Sequence, residues 1–172
     1  MNGTDSADTL EGIQQSPFRT IVRAWIVAGT LDIIVASIYY PLAYKIKLVA
    51  LYQGIASGVL GSKAFAGGAT TAMLGLALHY LIALIWTLFF FMIYPRLKVM
   101  SWNRIITAIS YSIVVSCVMT FVVLPLSSAN HSRGPLNVVH FAIDTIILMF
   151  TIGTPLSVIV GNFYSGRRDM QR

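Results

Sequence analysis

The sequence predicts an all-α membrane protein: a transmembrane four-helix bundle with a short interfacial or re-entrant helix between spans 1 and 2. Three observations carry this. The 172 residues are 56% hydrophobic and only 10% charged. Mean hydropathy is +0.76, far above that of an ordinary water-soluble domain. The run from Ile105 to Asn130 holds no charged side chain, and a bilayer core about 30 Å thick is crossed by roughly 20 apolar residues at about 1.5 Å each. The length allows about four such helices with short links, leaving no room for a separate soluble domain of ordinary size. Any chemistry therefore sits in or beside the membrane.

Residues 1–18 are polar and slightly acidic through Asp5, Asp8 and Glu11; they have little to bury and read as a disordered tail. A four-span domain over 19–164 and a basic tail over 165–172 follow. The first span, about 21–41, is too long for a signal-peptide core and lacks a small-residue cleavage site, so it is retained as an anchor. Next comes KIKLVALYQGIASGVLGSKAFAGG. The apolar stretch between Lys45/Lys47 and Lys63 is only about 15 residues long, too short to cross comfortably, and predicts an interfacial or re-entrant helix at about 46–61. Leu48, Leu51, Tyr52, Ile55 and Val59 recur at helical spacing, while Gly54, Ser57, Gly58 and Gly61 collect on another side. Gly54 and Gly58 match the small-xxx-small spacing of tight helix contacts and are expected to pack on the bundle. The second span, about 70–94, stops at Pro95 and a basic loop, Arg96 to Lys98. The third, about 105–124, ends at Pro125, and the turn-forming loop SSANHSRGPLN leads to a fourth at about 138–160. Gly153 and Pro155 should bend that last helix.

Orientation follows from the basic residues near span ends. Arg19, Arg23, Arg96, Lys98, Arg104, Arg167, Arg168 and Arg172 fall on one side, and Lys45, Lys47, Lys63 and Arg133 on the other. Eight against four predicts both termini in the cytoplasm. The net charge of +6 is thus topological, and the expected partners are membrane lipids, a second copy or a membrane protein, not nucleic acid. The single cysteine, Cys117, lies in an apolar run and has no partner for an intramolecular disulfide.

The few polar groups inside the spans fall on small-residue faces. Asp32 shares a face with Gly29 and Ala36, and His79 with Ala72, Gly75 and Ala83. Ala108, Ser112, Ser116 and Thr120 form a stripe on the third helix, and Asn137, His140, Asp144 and Thr151 on the fourth. Small faces pack inward, so Gly75, Ser112 and Ser116 join Gly54 and Gly58 as helix-packing candidates. At about 1.5 Å per residue from the non-cytoplasmic end, Asp32 and His79 lie roughly 14 Å deep, Asp144 roughly 9 Å and His140 near 3 Å. This series predicts an outward-open vestibule ending at Asp32 and His79. An aspartate at that depth must be protonated, hydrated or paired, and His79 is the expected partner. Asp32, His79, His140 and Asp144 are accordingly the ligand or proton-site candidates.

No catalytic set is evident. GVLGSK lacks the Gly-Lys-Ser/Thr ending of a phosphate loop, and there is no GxSxG and no CxxC. Haem would need two histidines at one depth, whereas His79 and His140 differ by roughly 10 Å. His140 and Asp144 have helical-ligand spacing for zinc but no HExxH and no third ligand. No metal or cofactor is therefore expected. Asn2 and Asn130 match the glycosylation sequon, and Trp25, Tyr39, Tyr40, Trp86, Tyr94, Trp102 and Tyr164 read mostly as interfacial anchors, with Trp86 packed. Two classes of function stay open, a solute, cation or proton pathway and a structural or accessory subunit. A lipid-acting enzyme is a weaker third for want of a nucleophile.

In AGTLDIIVASIYY, QGIASGVLGSKAFAGGATTAMLGLALHYLIAL, VMTFVVLPLSSA and GTPLS, between Ala28 and Ser157, the chain resembles a broad family of small bacterial inner-membrane proteins without an established activity. In architecture it is similar to the YagU-type membrane proteins. The resemblance implies a bacterial four-span protein and carries no site roles. Asp32, in GTLD, and His79, in LALHY, fall within the resembling segments, and Asp144 does not.

Overall fold

A computed structural model describes residues 16–96, 103–126, 128 and 137–169, with side chains as far as 166. Among them there are helices and no strands. Helix α1 is Pro17–Tyr44, α2 Leu48–Leu60, α3 Gly68–Ile93, α4 Arg104–Leu126 and α5 Val138–Gly166, whose helical backbone runs on to Asp169. A 3-10 segment, Gly61–Ala66, joins α2 to α3. Helices α1, α3, α4 and α5 are each long and apolar enough to span a bilayer. By helix length and composition this is a multi-pass membrane protein. The residues before 16, the sequons at Asn2 and Asn130, Lys98, Trp102 and Arg133, and the side chains of Arg167, Arg168 and Arg172 lie outside the described residues.

The helix ends follow from local chemistry. Ser16 caps α1 by accepting the Arg19 amide at 3.2 Å, and Pro17 takes the first helical position, where a missing N–H costs nothing. At the other end Lys45 turns left-handed, with φ 52°. Asn103 and Asn137 cap α4 and α5, each side-chain oxygen accepting two amides of the first turn. Helix α1 begins four residues before the apolar span of the sequence, at its Ser16 cap, and runs three residues past it to Tyr44.

Helix α5 is the hub, touching α1, α3 and α4. Moving from Asp32 to Tyr40 and Tyr44 on α1, the facing residues on α5 step back from Thr151 to Asp144 and His140. The two helices are therefore antiparallel in one continuous register. Ala24 and Ala28 continue it into a core with Leu156, Val160, Phe90, Tyr94 and Tyr111. That core fills only the half of the bundle nearer Pro17. The other half, toward Tyr44, holds no residue of the apolar cluster and carries most of the polar contacts described below.

Two helices contain a wide π turn, Met119–Val123 in α4 and Met149–Gly153 in α5. Each contains the residue four before a proline, Phe121 before Pro125 and Thr151 before Pro155. A proline cannot donate to that carbonyl and its ring clashes with it, so the turn widens. α4 thus runs on past Pro125 to Leu126 instead of ending at Leu124.

Candidate functional site

Asp32 sits two-fifths of the way down α1 from Tyr44, on the seam between α5 and α3, because it shares that side of the helix with Ala28, in the core with α5, and Gly29, against Tyr80 of α3. Thr151, inside the α5 π turn, donates its hydroxyl to Asp32 Oδ1 at 2.8 Å. The same hydroxyl lies 3.0 Å from the Ile147 carbonyl. With a single hydrogen it serves one acceptor at a time. Thr154 closes the turn by donating to the Met149 carbonyl at 2.8 Å, five residues back.

From the other side α3 brings His79. Its Nδ1 stands 4.0 Å from Asp32 Oδ2, and its Nε2 is 2.9 Å from the Gly29 carbonyl. Tyr80 fixes the neighbouring backbone. Its hydroxyl bonds Thr30 at 3.0 Å, its carbonyl accepts the Trp25 indole at 2.7 Å, and its ring packs on Gly29, where a Cβ would be tight. Asp32 and His79 keep 18% and 12% of their side-chain surface accessible. Counted from the near end of each helix at about 1.5 Å per residue, Asp32, His79 and Thr151 lie about 18, 17 and 20 Å deep. Three helices thus deliver one polar cluster to one level, near mid-membrane.

A second group lies two turns nearer the Tyr44 end. Tyr40 donates its hydroxyl to Asp144 Oδ1 at 3.0 Å. Tyr40 and Tyr44 stack at 5.8 Å, Tyr39 stands edge-on to both, and His140 stands edge-on to Tyr44 at 5.5 Å. Asp144 is half-buried, His140 exposed. Beside it, Thr145 donates to Ser116 at 2.9 Å, tying α5 to α4.

No family model, curated protein or solved structure matches the chain. Functional inference therefore rests on these two clusters.

Asp32 and His79 adjoin one another, whereas Asp144 and His140 belong to the separate outer group. His79 and His140 are kept apart by roughly four turns of α1, more than the sequence-based depths gave, so the two rings do not fit one haem iron. Among the described residues no three His, Cys, Asp or Glu side chains converge. Ser112 and Ser116 are buried on the α4 stripe, and Gly75 is buried on α3. An open groove of about 480 Å³ is lined by Val35, Ile38, Tyr39, Leu42 and Ala43, apolar groups apart from the tyrosine hydroxyl, and by neither carboxylate.

Three contributors were not read from the sequence. Tyr40 follows Asp32 by eight residues, hence by about two turns on nearly the same face, a signal available to periodicity but absorbed by its reading as an anchor. Tyr44 lies one turn further on. The Gly29 carbonyl is a backbone group, and nothing in the side-chain pattern announces it.

Proposed function

We propose that the protein is a bacterial inner-membrane protein with both termini cytoplasmic that binds and passes a proton, or a small cation, at Asp32 and His79. The topology rests on the excess of basic residues at the Pro17 side of the bundle, and the setting on the family resemblance.

One observation carries the chemistry. A carbonyl only accepts, so the 2.9 Å contact with Gly29 requires a hydrogen on His79 Nε2. Nδ1 then faces Asp32 Oδ2 across 4.0 Å. That edge is complementary with one proton on it, held by the imidazole or by the carboxyl group, and mismatched with none. Thr151 supports both arrangements. It donates to Oδ1 of an ionised Asp32, and with the carboxyl proton on Oδ2 toward His79 it donates to Oδ1 still, since that oxygen remains an acceptor. A cluster with two satisfied hydrogen-bonding patterns differing in where one proton resides is suited to take up and release it.

The purified chain in liposomes, under a pH gradient with a pH-sensitive dye inside, tests this. Wild type is expected to equilibrate the gradient faster than empty liposomes, Asp32→Asn to lose the excess, and His79→Gln to reduce it. Equal rates for wild type and a normally folded Asp32→Asn variant would instead support a structural or accessory role. One observation favours that second reading. Among the described residues, every buried side-chain nitrogen and oxygen already has a hydrogen-bond partner, so the clamp is complete without a ligand.

A further inference from the structure

We infer that Asp144, Tyr40, Tyr44, Tyr39 and His140 form a second site, at the Tyr44 end of the bundle, for the ammonium group of an organic cation. The group stands apart from the Asp32 pair, about 12 Å along α1, and the inference does not depend on proton passage.

Interfacial tyrosines that serve only as anchors point outward around a helix toward headgroups. These face one another. Ring centroids are 5.2 Å apart for Tyr39 and Tyr40, 5.8 Å for Tyr40 and Tyr44, and 5.5 Å for Tyr44 and His140. A cation within about 6 Å of a tyrosine ring is attracted by its quadrupole, the more so when partly desolvated. The cluster holds a negative charge to match. Asp144 Oδ1 accepts from Tyr40, and no lysine or arginine among the described residues forms an ion pair with Asp144. The site is reachable, since Tyr44 keeps 42% of its surface exposed and His140 is exposed at the first turn of α5. One carboxylate beside aromatic rings is a poor cage for a hard metal ion, which takes several oxygen ligands. It suits a weakly hydrated alkylammonium head, whose charge is spread over its carbons.

The test is calorimetric titration of the full chain in zwitterionic nanodiscs with tetramethylammonium, against empty nanodiscs. Saturable binding is expected in wild type. Asp144→Asn, which can still accept from Tyr40, and Tyr44→Leu should each weaken it by roughly tenfold. Tyr44→Phe, which keeps the ring, should stay within about threefold of wild type. Asp32→Asn should leave the affinity unchanged, which separates this site from the proton site. No saturable heat above empty nanodiscs, wild-type affinity in Asp144→Asn or Tyr44→Leu, equal losses in Tyr44→Phe and Tyr44→Leu, or loss in Asp32→Asn would each overturn the assignment.

Discussion

Asp32, His79 and Thr151 come from three different helices, and no two are fewer than 47 residues apart in the chain, yet His79 and Thr151 each turn a single polar atom to the Asp32 carboxyl group. Such contacts within a membrane are individually modest, averaging about 0.6 kcal/mol and reaching about 1.7, because the alternative states in lipid also find partners. Thr151→Val should therefore destabilise the folded bundle by roughly 0.5–1.5 kcal/mol in a reversible unfolding assay. In an Asp32→Leu background, where the hydroxyl has no carboxylate to meet, the same change should cost markedly less. Additive losses would mean that the 2.8 Å bond does not couple the two helices. Asp32→Leu should also disturb folding less than Asp32→Ala, since the smaller residue leaves a cavity beside His79 in addition to removing the charge.

The elements meet where one helix offers no side chain. At Gly75 a Cβ would overlap the Tyr52 carbonyl, so α2 lies backbone-to-backbone on α3 at that point. Gln53 and Thr71 staple the same hairpin, Gln53 donating to the Gly68 carbonyl at 3.0 Å and Thr71 to that of Ala64 at 2.6 Å. The sequence assigned tight contact to Gly54 and Gly58 as well as Gly75. A Cβ at Gly54 would meet nothing within 4 Å, Gly58 is half-buried, and the face of α2 turned inward is Gln53, Ala56 and Ser57. The glycine at the crossing belongs to α3, which is why spacing within α2 could not locate it: close approach needs a missing side chain on only one of the two partners. Opposite signs follow for the two glycines. Gly75→Ala should destabilise by about 1–3 kcal/mol through overpacking against backbone, while Gly54→Ala should be neutral or stabilise by up to about 1 kcal/mol, since alanine is the better helix former. Thermal melts of the two variants in one detergent decide it, and a Gly75→Ala protein as stable as wild type would contradict this packing. The π turns show the same limit of reading from sequence. Gly153 and Pro155 signalled a bend, but that the turn would widen and present Thr151 to Asp32 depends on α1 standing opposite.

At the scale of the molecule, the four spans alternate in direction around α5, and an asymmetry runs along the bundle axis. The half near Pro17 is a packed aromatic and aliphatic core, with Tyr164 donating to the Phe91 carbonyl at 3.0 Å and Arg104 to Asn162 at 2.6 Å at its edge. The half near Tyr44 is polar, with Asp144, Tyr40, Ser37, Tyr52, Thr145 and Ser116 bonded across helices. Span number and the polar faces were legible because hydropathy and the 3.6-residue period are local properties of each segment. The register that sets Asp144 beside Tyr40 while Asp32 meets Thr151 was not, since it depends on how two helices slide past one another. If the basic side is cytoplasmic, the packed half plugs the bundle from within and the polar half opens outward, so access to Asp32 should be one-sided. Alkaline phosphatase fused after Ser128 should be active and after Arg96 inactive, the reverse pair inverting the topology. With the orientation fixed by the fusions, access can be read directly. In right-side-out vesicles, an impermeant thiol reagent should label Ala36→Cys, one turn from Asp32 toward Tyr44, faster than Ala28→Cys, one turn toward Pro17 and 1% exposed in the core. Faster labelling of Ala28→Cys would place the open half on the wrong side of the carboxylate.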